Sequence, residues 1–200
     1  MGAATQIKTS LYLKMANVEA AFKNLHQDLL DGCKSGDQKA QFQIYKLYYK
    51  AMYNTSLRIV NDTMEAEDIM QESFLSAFEK IDTYSGTVSF GAWLKKIVIN
   101  RSLDALSRRK AIFEDIDSHV GIRDDSSEDI LRKEEVDVRV EEVKEAINRL
   151  PDGYRIILSL YLLEGYDHDE IAEILSISSS TSRSQLSRAK QKLIAELRNK

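Results

Sequence analysis

The sequence predicts an all-α protein: two small helical domains joined by a flexible acidic linker, the C-terminal one carrying a helix-turn-helix. Three observations lead there. Only one Pro and eight Gly occur in 200 residues, so long helices meet few breakers. Apolar residues recur at three- and four-residue steps, and no convincing alternating strand pattern is found. Residues 111–133 are acidic and rich in Ser and Asp, with little periodicity, which suits a linker.

The elements follow in order. Residues 1–20 form an extension ahead of a first domain at 21–110. Helical spacing begins near Val18, continues through Phe22, Leu25 and Leu29, and breaks at Gly32 and Ser35-Gly36-Asp37. A second helix presents Phe42, Tyr45, Tyr48, Tyr49 and Met52 on one broad face, and Asn61-Asp62-Thr63 turns the chain. A third runs from about Met64 to Lys80, with Ala66, Met70, Phe74, Phe78 and Ile81 as its stripe. Asp82 to Ser89 is a loop with Ser85-Gly86-Thr87 at its tip, and a fourth helix runs from Phe90 to about Arg109. The second domain, 134–200, opens on the stripe Val136, Val140, Val143, Ile147 and Leu150. Pro151 suits the start of a helix over Tyr154 to Glu164, and Gly165 suits its C-terminal cap. Asp167-x-x-Glu170 reads as a capping box. Ser178 is the expected N-cap of the last helix.

Composition narrows the function classes. Hydrophobic residues are 43% and charged residues 30%, an ordinary soluble balance. The first ten residues lack an apolar signal core, and the longest apolar run, Ile156 to Leu163, is too short to span a bilayer. A soluble cytoplasmic protein without membrane insertion is expected. Cys33 is the single cysteine, which excludes an internal disulfide; a half-buried or exposed thiol near a helix end is expected. His26, His119 and His168 are scattered. No nucleophile–base pairing, phosphate loop or metal spacing accompanies them. The reading is therefore no enzyme, no catalytic residue, no metal and no cofactor.

The net charge of −4 argues at first against nucleic acid. The charges are segregated, however. Lys95, Lys96, Arg101, Arg108, Arg109 and Lys110 form one basic block; Arg183, Arg188, Lys190, Lys192, Arg198 and Lys200 form another. The acidic stretch from Glu114 to Glu145 lies between them. Charges beyond a screening length of roughly 8–10 Å hardly feel one another, so local field decides phosphate attraction.

Three stretches could carry contacts, and each admits two readings. From Tyr166 to Lys190, two short amphipathic helices flank a tight polar turn. Ile171, Leu175, Ile177, Leu186, Ala189, Leu193 and Leu197 face inward; Thr181, Arg183, Ser184, Ser187 and Arg188 face mostly outward. This is either a helix-turn-helix whose second helix enters the major groove or a terminal hairpin with a solvated basic end. Along the fourth helix, Trp93, Lys96, Asn100, Asp104 and Arg108 share a face, with Arg101 and Arg109 beside it. Bases there can hold phosphates while a ring or amide meets unstacked bases; the alternative is an ordinary amphipathic helix with a buried Trp. Glu67, Asp68, Gln71 and Glu72 point away from the stripe of the third helix. They form either a solvated helix start favoured by the helix dipole or a docking surface for a basic partner.

Taken together, these pieces resemble a bacterial sigma-70 family RNA polymerase sigma factor of the extracytoplasmic-function (ECF) group. The resemblance rests on Ala66-Glu67-Asp68-Ile69-Met70-Gln71-Glu72-Ser73-Phe74, then Phe90-x-x-Trp93-Leu94-x-x-Ile97-x-x-Asn100-x-x-x-Asp104-x-x-x-Arg108-Arg109. It continues in Leu150-Pro151-x-x-Tyr154-Arg155, Glu164-Gly165-Tyr166, Glu170-Ile171-Ala172 and Leu186-Ser187-Arg188-Ala189-Lys190-x-x-Leu193. It implies a region 2 at 21–110 and a region 4 at 134–200. It implies a chain that joins core RNA polymerase through the β′ clamp and the β flap and directs it to promoter DNA. Glu67, Asp68, Gln71 and Glu72 would meet the clamp. Trp93, Lys96, Asn100, Arg101, Arg108 and Arg109 would hold the −10 element. The 82–89 loop would capture a flipped base. Thr181, Arg183, Ser184, Ser187 and Arg188 would read the −35 element. An anti-sigma factor is a further implied partner. The family often has Gly where Ser176 and Ser180 stand, and an apolar residue where Ser182 stands; a buried helical Ser can bond back to the i−4 carbonyl. The competing readings are a conventional helix-turn-helix regulator acting without polymerase, a helical adaptor without DNA contact, and, weakest, an enzyme.

Overall fold

The computed structural model of the protein describes residues 26–114 and 140–198. Every regular element among them is helical: α1 Gln27–Lys34, α2 Gln38–Val60, α3 Thr63–Glu79, a short 3-10 turn Ile81–Thr83, α4 Phe90–Glu114, α5 Val140–Arg149, α6 Asp152–Leu158, a π-type turn Ser159–Leu163, α7 His168–Leu175 and α8 Ser179–Arg198. The expected extension 1–20 and most of the expected linker lie outside the described residues.

These helices fall into two compact units. The first holds α1, α2 up to Ser56, α3 and α4 up to Arg101; the second holds Leu57–Asp62, α4 from Ser102, and α5 to α8. The core of the first unit joins Leu30, Cys33, Ile44, Met52, Met70, Phe74, Phe90, Leu94 and Val98. Tyr45 lies edge-on to Phe74 at 5.0 Å, and Tyr48 to Phe90 at 5.5 Å, so the aromatic residues of α2 bind it to both α3 and α4. Gly32 lets α1 approach α2: a Cβ there would stand 2.7 Å from the Cβ of Ala40.

Three expectations change. Phe42 does not join the apolar face of α2; it is 58% exposed, with the Lys46 ammonium 4.8 Å over its ring. Ile44, two residues further on, is buried instead. Cys33 is buried rather than half-exposed, and burial, with the Asp37 carboxylate nearby, raises its thiol above the usual range. The helix expected over 154–164 starts at Asp152, after Pro151, and ends in the π-type turn, where the Glu164 amide donates to Ser159 O at 3.0 Å. Gly165 then takes a left-handed φ of +81°, as a cap requires.

Inside the second unit the guanidinium of Arg155 is 3% exposed and satisfies an unusual set of acceptors. Nε donates to Arg58 O (3.2 Å), Nη1 to Leu150 O (3.1 Å), and Nη2 to Ile59 O (3.0 Å) and to Asp152 Oδ1 (2.7 Å). Arg109 Nη2 donates to Val60 O at 3.3 Å. The last carbonyls of α2 have no intrahelical partners, and these two arginines supply donors to them. Arg58 in turn pairs with Glu164 at 2.6 Å.

Candidate nucleic-acid interface

Local chemistry builds the helix-turn-helix of the second unit. Asp167 caps α7, accepting from the amides of Asp169 (2.9 Å) and Glu170 (2.8 Å), while Glu170 Oε2 accepts from the Asp167 amide at 2.9 Å. Such a box is worth on the order of 1 kcal/mol. The turn is made by Ser176 in the left-handed region (φ 54°, ψ 42°) and by the Ile177 amide donating to Ala172 O at 3.0 Å. Ser178 caps α8, its Oγ accepting from the Thr181 amide at 3.0 Å.

A glycine adopts the Ser176 conformation without the steric cost a Cβ incurs, which is on the order of 1 kcal/mol. We expect Ser176→Gly to stabilise the protein by about 0.5–1 kcal/mol, measured as a rise in denaturant midpoint; a lower midpoint would contradict this account of the turn.

α8 divides cleanly. Ser182, Leu186, Ala189 and Leu193 are buried, and Thr181, Arg183, Ser184, Ser187 and Arg188 are all exposed on the other side. The Ser182 hydroxyl does not turn back to its own helix; it meets His168 Nδ1 at 2.9 Å, tying α8 to α7. The His168 ring stacks on Tyr161 at 4.9 Å, and Lys190 Nζ lies 5.5 Å over that same ring. A buried polar serine is thus satisfied by a neighbouring helix, and the outward row keeps its regular spacing.

The first unit presents two oppositely charged surfaces. On α3, Glu67, Asp68, Gln71 and Glu72 are exposed, opposite buried Ala66, Ile69, Met70 and Ser73. α3 carries five carboxylates and no base. On α4, Lys96 and Asn100 are exposed, and Trp93 is half-buried, packed 5.4 Å from Tyr84 and 5.6 Å from Phe90. Trp93 therefore serves the core while keeping an accessible edge. Arg101 pairs with Glu72 at 2.8 Å, so two residues assigned to different surfaces meet each other. Arg108 and Arg109 belong to the second unit; Arg108 is exposed, and Arg109 is half-buried at the end of α2.

Between α3 and α4, the 80–89 segment is well bonded. The Thr83 amide and hydroxyl both donate to Lys80 O (2.9 and 2.7 Å), and the Tyr84 amide donates to Ile81 O at 3.1 Å. The Tyr84 hydroxyl donates to Val88 O at 2.6 Å. Gly86 takes φ +72°, and the Ser85 and Thr87 hydroxyls lie 3.0 Å apart at the exposed tip. Ser89 Oγ accepts from the Ala92 amide at 3.2 Å, opening α4.

Comparison with known proteins identifies the family. Residues 44–112 match Sigma-70 region 2, and residues 140–193 match Sigma-70, region 4. The chain is 29% identical over 175 residues to the ECF RNA polymerase sigma factor SigW of Bacillus subtilis, covering 83% of this chain and 93% of that one. It is 30% identical over 176 residues to the ECF RNA polymerase sigma-E factor of Haemophilus influenzae, covering 82% and 91%. The chain belongs to the ECF sigma factors of the sigma-70 family. The fold agrees: the sigma factor RpoE of Bartonella quintana, solved with the anti-sigma factor NepR, has a TM-score of 0.55 at 24% identity, over 78% of this chain and 95% of that one. CnrH, solved with the cytosolic domain of CnrY, has a TM-score of 0.53 at 23% identity, over 86% and 96%.

Three residues of this sigma factor matter to its candidate surfaces in ways the sequence does not show. Tyr84, which no sequence motif includes, braces the loop; His168, one of the scattered histidines, satisfies Ser182; and Arg155, a motif residue with no role assigned, caps a helix end. The aromatic residues at 84, 90 and 93 were one available signal for the first. The other two depend on contacts distant in sequence.

Proposed function

We propose that this sigma factor divides promoter engagement among the surfaces described above. Residues 21–110 act as region 2, 111–133 as a linker and 134–200 as region 4. Glu67, Asp68, Gln71 and Glu72 meet the β′ clamp of core RNA polymerase, and region 4 engages the β flap. Trp93, Lys96, Asn100, Arg101, Arg108 and Arg109, all on α4, hold the −10 element as it opens. Thr181, Arg183, Ser184, Ser187 and Arg188 hold the −35 element. The protein acts in the cytoplasm as an initiation factor, not as an enzyme. An anti-sigma factor is among its partners, as it is for RpoE of Bartonella quintana.

The observation that carries this reading is the pairing of a carboxylate-only α3 surface with a basic, aromatic α4 surface in one unit, and a capped helix-turn-helix in the other. A conventional regulator acting without polymerase has no use for the first of these. The physics of opening follows. Unstacking costs a few kcal/mol per extruded base. A surface that binds only extruded bases recovers part of that cost, so binding and melting are coupled. Docking on polymerase fixes both modules near their DNA and raises their effective concentration. Arg101 must exchange Glu72 for a phosphate, an exposed ion pair worth no more than about 1 kcal/mol, so the exchange is easy.

The test separates capture from opening in the reconstituted holoenzyme. Arg188→Glu lowers the affinity for duplex promoter DNA at least about tenfold, because a phosphate- or base-contacting cation becomes an anion. Asn100→Ala leaves duplex capture within about twofold but lowers the permanganate reactivity of −10 thymines about tenfold. Equal losses of both steps in both variants would refute the division of tasks.

A further inference from the structure

The loop between α3 and α4 is short and mostly exposed, yet held by several hydrogen bonds, and one side chain spans it. The Tyr84 ring lies edge-on to Phe90 at 5.6 Å and tilted against Trp93 at 5.4 Å, so it is anchored to the first turn of α4. Its hydroxyl crosses the loop to Val88 O at 2.6 Å. The chain between those two points is Ser85-Gly86-Thr87, with Gly86 in a left-handed conformation and open space where a Cβ would project. The hydroxyl contact closes this three-residue tip into a ring. Burial raises the Tyr84 phenol above its usual range, which favours the protonated, donating form.

We propose that Tyr84 is the positioning residue of the base-capturing loop: its hydroxyl, held against Val88 O, fixes the Ser85–Thr87 tip in the geometry that receives an extruded base. This rests on the reading of the 82–89 loop given above. The tip presents two hydroxyls 3.0 Å apart and the backbone amides around them, donors and acceptors suited to the edge of a nucleobase. Among the described residues no other hydrogen bond joins its two ends. The Ser85–Thr87 contact and the Thr87 amide to Ser85 Oγ contact (3.5 Å) both lie within it. Without the hydroxyl the tip loses this cross-brace, while the ring, the helices and the core stay as they are. A base-recognition loop must hold its groups to a fraction of an ångström; a loose one binds the same base with a larger ordering cost.

Tyr84→Phe isolates the hydroxyl, because the ring packing against Phe90 and Trp93 is retained. The probe is a fork-junction DNA carrying the −10 element on its single strand, with an abasic site stepped through the element, bound to the reconstituted holoenzyme. With the natural residue, one abasic position weakens binding far more than the rest. With Tyr84→Phe, the intact fork binds about fivefold more weakly, as loss of one bracing hydrogen bond implies, and the fork abasic at that position binds equally well to both proteins. The penalty for the missing base therefore shrinks while core-polymerase affinity and melting temperature hold. Tyr84→Ala serves as the control that also loses the ring, and it lowers the melting temperature. If the natural protein shows no critical base, the loop reading itself fails. If it shows one and Tyr84→Phe keeps the full penalty, the loop reading stands and the role of Tyr84 is overturned.

Discussion

Reversing three charges together, Glu67→Lys, Asp68→Lys and Glu72→Lys, is expected to weaken assembly with core RNA polymerase by about a hundredfold or more. The side chains are exposed on one side of α3, and the buried residues Ala66, Ile69, Met70 and Phe74 hold the helix from the other, so the fold is not the target of the change. Close charge pairs across an interface couple by about 1.5 kcal/mol or more each, and reversal replaces attraction with repulsion. The helix dipole adds a small cost, since cations near a helix N-terminus are disfavoured by some tenths of a kcal/mol. A lysine at 72 also faces Arg101, which now lies 2.8 Å from the carboxylate. Fluorescence anisotropy against core polymerase reads the loss. An affinity within threefold of the natural protein's, with an unchanged melting temperature, would remove α3 from the polymerase interface.

The second large effect is structural. Replacing Arg155 by Met is expected to cost about 3 kcal/mol of stability, a figure set by the rule for a buried charged group whose partners are left behind. The arginine is nearly inaccessible, and its five-donor fork reaches Arg58 O, Ile59 O, Leu150 O and Asp152 Oδ1. Methionine fills most of the volume and satisfies none of these acceptors. Lysine keeps the charge but concentrates its donors at one nitrogen, so it recovers only part of the loss. Denaturant unfolding of the full chain measures both. A loss under 1 kcal/mol for Arg155→Met would mean that the carbonyls find other donors.

Much of this architecture was legible in the sequence because its signals are local. The capping box at Asp167 and Glu170, the N-cap at Ser178 and the cap at Gly165 each depend on a few consecutive residues, and each is found in place. The outward row of α8 follows from helical register alone. Other features depend on which helix packs where. Phe42 is as apolar as Ile44, and only the packing of α2 against α3 and α4 decides that Ile44 is buried while Phe42 is not. The π-type turn at Ser159 adds a residue to a helix without any distinguishing residue type. Ser182 is a departure from an apolar pattern that the sequence could flag but not explain; its partner, His168, lies fourteen residues earlier on another helix. The contact between Glu72 and Arg101 was likewise out of reach, since it links two elements assigned to separate partners.

The central claim is that the two helical blocks of this chain act on promoter DNA only as parts of RNA polymerase. It is tested most directly by in vitro transcription from a library of promoter fragments with purified core polymerase, with and without the purified chain. The account predicts initiation at a defined start point, with opened −10 thymines, only when the chain is present, and no such initiation with the α3 triple lysine variant. Sequence-specific DNA binding by the chain that is equally tight without polymerase, with no stimulation of initiation, would contradict it.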